Sequence, residues 1–121
     1  MRVPISSVAE MLNTHPRTLR IWDEEGIVKP ERSPKNRRLY TEQNIEEARA
    51  VSFMLNEMGL NINGVKVIKI AYTEISKDMP AYENDFLYFV KSIAHSMNLT
   101  DKQMQANKQS NKSKGRKKKE V

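Results

Sequence analysis

Cysteine is absent from the 121 residues, which excludes disulfide frameworks, thiolate metal sites and thiol nucleophiles. Glycine is scarce: there are four, and none sits in a glycine-rich loop able to cradle a phosphate. Long apolar runs are missing too. The longest, Phe86-Leu87-Tyr88-Phe89-Val90, falls far short of the roughly 20 residues that cross a bilayer. The opening Met1-Arg2-Val3-Pro4-Ile5-Ser6 lacks the apolar core of a signal peptide. A cytoplasmic chain with no membrane partner is therefore expected. The two histidines, His15 and His95, have no Ser/Asp constellation near them, and adjacent pairs such as Glu24-Glu25 and Glu46-Glu47 point apart on a helix. No enzyme activity, cofactor or metal is expected.

Base is what the chain has in excess. Lys+Arg number 21 against 15 Asp+Glu, a formal net charge of +6 that suggests a nucleic-acid partner. Residues 108–121 hold seven bases and one acid, so residues 1–107 are neutral, with 14 of each sign. Within that neutral body, residues 1–40 carry eight bases and five acids, and residues 41–107 carry six and nine. Charge placement, more than the total, bears on function.

Local signals divide the first forty residues into two short helices and a hairpin. Ser7-Val8-Ala9-Glu10 has the spacing of a capping box, which predicts a helix near 7–13. Pro16 suits the first position of a second helix, with Leu19 and Trp22 on one face and Gly26 as its C-terminal stop. Two short helices joined by a tight turn outline a helix-turn-helix. The runs Ile27–Arg32 and Arg37–Tyr40, flanking Ser33-Pro34-Lys35-Asn36, predict a β-hairpin. Thr41 then caps a longer helix carrying Ile45, Ala48, Val51, Leu55 and Met58, ended by Gly59. Asn61 caps the next, with Val65, Ile68, Tyr72 and Ile75 on one face. A last helix is predicted over 82–97, with Tyr82, Phe86, Phe89, Ile93 and Met97 in line. Beyond residue 100 Gln, Asn, Ser and Lys dominate, and a segment so poor in apolar anchors is expected to be disordered from about 105. The predicted division is 1–79, 80–99 and 100–121.

The chemistry concentrates between His15 and Tyr40. Arg17 and Arg20, three apart on a helix, share a face with Thr18 beside them, opposite Leu19 and Trp22. Two guanidinium forks and a hydroxyl on one helix face suit direct readout of base edges in a major groove; alternatively they form a solvated surface paired with Glu24. Arg32, Lys35, Arg37 and Arg38 fall within seven residues that contain no acid. A basic hairpin after a helix-turn-helix acts as a wing that contacts phosphates, and this favours the first reading.

Residues 4–75 resemble the MerR family of winged helix-turn-helix transcription regulators. The resemblance is carried by Thr18-Leu19-Arg20, by Glu25-Gly26-Ile27-Val28-Lys29-Pro30 entering the wing, and by Arg38-Leu39-Tyr40-Thr41 leaving it. His15-Pro16-Arg17-Thr18-Leu19-Arg20 and Gly59-Leu60-Asn61-Ile62-Asn63-Gly64-Val65 are similar to the heat-shock repressor HspR branch. The resemblance implies a mainly α fold with a small β-hairpin wing, an additional C-terminal helix and a basic tail. It implies a homodimer on an inverted repeat of double-stranded DNA, with nucleoid association. DNA contacts then fall on His15, Arg17, Thr18, Arg20, Arg32, Lys35, Asn36, Arg37, Arg38 and Tyr40. His15 either caps its helix or bonds a phosphate. Where many members have two consecutive aromatics this chain has Ile21 and Trp22, so Trp22 is read as core. Tyr82, Phe86, Phe89, Ile93 and Met97 form either a dimer seam or an internal packing face. A stress-response repressor with a DnaK-type chaperone as co-repressor is implied; the alternatives are a nitrogen-type regulator of the GlnR kind and an excisionase-like architectural factor.

Overall fold

The computed structural model describes residues 1–78, 85–97 and 106–107, and its elements run β1 (Arg2–Pro4), α1 (Ile5–Met11), α2 (Pro16–Glu24), β2 (Glu31–Arg32), β3 (Arg38–Thr41), α3 (Glu42–Asn56), α4 (Ile62–Asp78) and α5 (Phe86–Ser96). It is mainly helical, with one three-stranded antiparallel sheet in the order β1-β3-β2. Two compact units, Met1–Val51 and Ser52–Val121, meet within α3. The predicted breaks at 79/80 and 99/100, and the Lys-rich stretch from 108, lie outside the described residues.

In the first unit β1 was not foreseen, and it changes how α1 begins. Val3 pairs with Tyr40 and Pro4 with Leu39. The helix therefore starts at Ile5, directly off a strand end held by β3. Pro4 is the N-cap, at φ −73° and ψ 164°, and it makes no side-chain cap bond. The predicted Ser7–Glu10 capping box does not form, because Ser7 already lies in the first helical turn. At the other end Asn13 takes φ 50°, with Thr14 N donating to the Ala9 carbonyl (2.9 Å) and Asn13 N to that of Glu10 (3.2 Å). That pair of bonds is a Schellman stop.

The start and stop of α2 agree with the sequence reading. Pro16 needs no hydrogen-bonded amide at the first position. The His15 side chain caps the helix, its Nδ1 accepting from Arg17 N at 3.1 Å. Gly26, at φ 76°, ends it, with Ile27 N donating to the Trp22 carbonyl at 2.9 Å and Gly26 N to that of Asp23 at 3.0 Å. The apolar face of α2, Leu19 and Trp22, is buried with Val8, Ala9, Ile27, Val28, Tyr40, Ile45 and Ala48. Thr41 and Asn44 cap α3 reciprocally: Asn44 N donates to Thr41 Oγ1 (3.1 Å) and Thr41 N to Asn44 Oδ1 (3.0 Å). Asn44 Nδ2 also donates to the Lys29 carbonyl, tying the wing's entry to its exit.

In the second unit Asn61 caps α4 as expected, accepting from Gly64 N at 2.8 Å. Its buried side chains are Met54, Met58, Val65, Phe86, Val90 and Ala94. The Tyr72 ring meets Phe86 and Phe89 at centroid distances of 5.1 and 5.3 Å, and its hydroxyl accepts from Asp85 N. These aromatic contacts anchor α5 to α4. The helix begins at Phe86, and Tyr82 lies outside the described residues. His95 is exposed on α5. Asn107, placed by composition in the unstructured tail, donates to the Glu57 carbonyl at 3.0 Å and lies against Gly59, itself at φ 74°.

Candidate nucleic-acid interface

The outer face of α2 follows from the burial of its inner one. With Leu19 and Trp22 directed into the core, Arg17, Arg20 and Ile21 are exposed and Thr18 half-buried. Neither arginine makes an ion pair among the described residues, so the alternative of a surface paired with Glu24 is not what forms. Ile21, 41% exposed, lies one turn from Arg17. It adds an apolar group suited to a thymine methyl. Its position four residues after Arg17, on the same helix face, is the sequence signal for it. His15 is exposed and spends Nδ1 on its cap, so Nε2 is the ring nitrogen left for another contact.

The wing is a tight hairpin. Asn36 N donates to the Ser33 carbonyl (2.8 Å), with Pro34 in the second position of the turn and Asn36 left-handed at φ 64°. Ser33 closes the loop twice: its Oγ accepts from Arg37 N at 3.0 Å and its amide donates to the Arg37 carbonyl at 2.9 Å. Lys35, Asn36 and Arg37 are exposed at the tip, and Lys35 and Arg37 have no ion-pair partner among the described residues.

Arg32 and Arg38 are arranged differently. Both donate to the same oxygen, Asp23 Oδ2, from Arg38 Nε at 2.8 Å and from Arg32 Nη2 at 3.0 Å. Arg32 Nη1 reaches the Asn36 carbonyl as well, at 3.3 Å. The wing's bases are thus not all uncompensated: two of the four share an acid supplied by α2. No acid within the hairpin hints at this, since the partners lie nine and fifteen residues apart.

Tyr40 departs furthest from expectation. Instead of meeting a DNA backbone its side chain is fully buried, because β3 alternates and the register Val3↔Tyr40 turns the ring inward. Its hydroxyl is buried without a hydrogen-bond partner. Burial raises its pKa above the usual 10.0; the Arg38 cation lowers it in part, and the Asp23 anion adds to the rise. A folded-state value above the unfolded one means that the neutral phenol's contribution is complete below pH 10.0 and is lost as pH rises through the folded value. Tyr40→Phe should therefore leave DNA binding unchanged and raise stability near neutrality by about 1 kcal/mol, since an unsatisfied buried hydroxyl is removed. It should also flatten the loss of stability above pH 10.0 in denaturant titrations.

The face suits DNA by its chemistry: unpaired guanidinium forks on a helix, beside a hairpin tipped with cations. Among the described residues no group of His, Cys, Asp or Glu is placed to hold a metal, and no helix is long and apolar enough to cross a membrane. Comparison with known proteins agrees with the geometry. The MerR HTH family of regulatory proteins matches residues 3–69, more than half of the chain. The chain is also similar to a protein assigned as heat shock protein HspR in Streptomyces coelicolor, 38% identical over 64 residues. That match spans 53% of this chain and 42% of the relative, so less than half of the relative's length is covered. No solved structure matches at a significant level.

Proposed function

The chain belongs to the MerR HTH family of regulatory proteins, and on that premise we propose that it is a stress-response repressor acting as a homodimer on an inverted repeat. DNA-binding transcription regulation is what the family supplies; the repressor role, the heat-shock setting and the dimer are the proposal. The observation that carries it is that Arg17, Arg20 and Ile21 on α2 and Lys35 and Arg37 on the wing tip are all exposed, with the wing tied to α2 through Asp23. In this reading α2 enters the major groove, and the wing lies along the flanking phosphates. On the helix Arg17, Thr18 and Ile21 then select sequence, whereas Arg20 and the wing residues supply affinity.

The similarity to a heat shock protein supports the heat-stress setting; a DnaK-type chaperone as co-repressor belongs to the proposal. Association with the nucleoid is part of the same proposal. For the dimer seam, Phe86 is already buried within its own unit and Phe89 stacks on Tyr72. The accessible part of the proposed seam among the described residues is therefore Ile93, which is half-buried, and Met97, which is exposed.

Arg17→Ala should cost about 1–3 kcal/mol on the preferred site and relax the choice of base at one position in each half-site. Arg37→Ala should weaken operator and random DNA alike and reduce the salt slope by about 1. Competition binding on a panel of single-base variants separates the two effects. Equal loss of selectivity in both variants would remove the assigned division of roles.

A further inference from the structure

We propose that Asp23 is a specificity-determining residue: by holding Arg32 and Arg38 on one carboxylate oxygen, it withholds two wing cations from indiscriminate phosphate contact and fixes the wing against α2. The inference rests on the DNA-binding reading above and deepens it.

The geometry gives the three residues distinct parts. The Asp23 side chain is only 14% exposed, and its ion pairs with Arg32 and Arg38 reach across from α2 to the hairpin. Arg32, on β2, commits both terminal nitrogens to the protein, to Asp23 Oδ2 and to the Asn36 carbonyl in the wing's turn. It braces the hairpin and has little left for DNA. Arg38, on β3, is held through Nε alone, while Nη1 and Nη2 carry no hydrogen bond among the described residues. Its remaining edge is thus aimed by the carboxylate and can still take a phosphate oxygen in that one orientation. One carboxylate against two guanidiniums leaves the trio with an excess positive charge, so DNA is attracted to it without the ion pairs having to break. Cations freed from Asp23 would swing on long side chains and accept any phosphate within reach. Such contacts raise affinity without carrying sequence information.

The test compares full-length wild-type and Asp23→Asn proteins on two probes, the selected inverted repeat and a random-sequence duplex, over a salt series. Asparagine keeps the side chain's shape, and a thermal melt followed by circular dichroism reports whether the variant folds. Random-duplex binding should strengthen several-fold at low salt, with a salt slope steeper by about 1, as the released Arg32 finds a phosphate and Arg38 is freed from its single orientation. The ratio of operator to random affinity should fall about tenfold. In an Arg32→Gln, Arg38→Gln background the same Asp23→Asn change should no longer steepen the slope. An unchanged slope and ratio in folded Asp23→Asn overturns the proposal, as does steepening that persists without the two arginines. If Asp23→Asn does not fold, the Arg32→Gln, Arg38→Gln protein decides. Its random-duplex slope should be shallower than wild type by no more than about 1, the one contact left to Arg38, and a slope shallower by about 2 contradicts the withholding of these cations. A wild-type protein that binds neither probe sinks the DNA-binding reading itself, an outcome distinct from all of these.

Discussion

Raising salt from 50 to 200 mM should weaken operator binding about a thousandfold or more. The size follows from the cations that the fold leaves free. Arg20, Lys35 and Arg37 are exposed without an ion-pair partner among the described residues. With about three such phosphate contacts in each subunit and six in a dimer, counterion release gives a log–log slope near −5. The seven bases of residues 108–121 form a second, separable source of salt dependence. Removing that segment should lower random-duplex affinity and its slope, while the preference for operator over random DNA is retained, because phosphate contacts select no bases. Filter binding or fluorescence anisotropy over a salt series measures both quantities. A slope shallower than about −2 for the intact protein contradicts the assigned contacts.

The largest effect on stability belongs to a neighbour of the proposed readout residues. Trp22 is 3% exposed, on the inner face of α2. Trp22→Ala should cost about 3–5 kcal/mol, a large share of the 5–15 kcal/mol that holds a small domain folded. Ile21, adjacent in sequence, is 41% exposed. Ile21→Ala should change stability by no more than about 0.5 kcal/mol and act on DNA affinity instead. Urea denaturation of the two variants, with binding measured in parallel, should give opposite patterns from consecutive residues. Equal destabilisation by both would mean that α2 presents a different face to the core.

The contrast between Ile21 and Trp22 was legible in sequence because helical period alone assigns their faces. The caps were legible for a similar reason: Pro16 and Gly26, Thr41, and Asn61 each act within four residues of the backbone they terminate. What failed to show locally depends on partners far along the chain. Strand β1 is three residues long and exists through its pairing with β3, some 37 residues on. That pairing sets the start of α1, and the apparent capping box at Ser7 yields to it. The same register turns Tyr40 inward, which reverses its expected role in DNA contact. The acid shared by Arg32 and Arg38 comes from α2, so counting charges within the hairpin overstates the cations available. The wing offers fewer free cations than the sequence implied: Lys35 and Arg37 are exposed at its tip without an ion-pair partner among the described residues, while the two wing arginines Arg32 and Arg38 are held by Asp23.

The central claim is that this one face reads a DNA sequence. Repeated selection of bound duplexes from a random pool, with wild-type protein and Arg17→Ala side by side, tests it most directly. The account predicts that wild type enriches an inverted repeat and that Arg17→Ala enriches the same repeat with one position in each half-site relaxed. A wild-type pool that stays random after selection, although the protein binds it, would contradict the account.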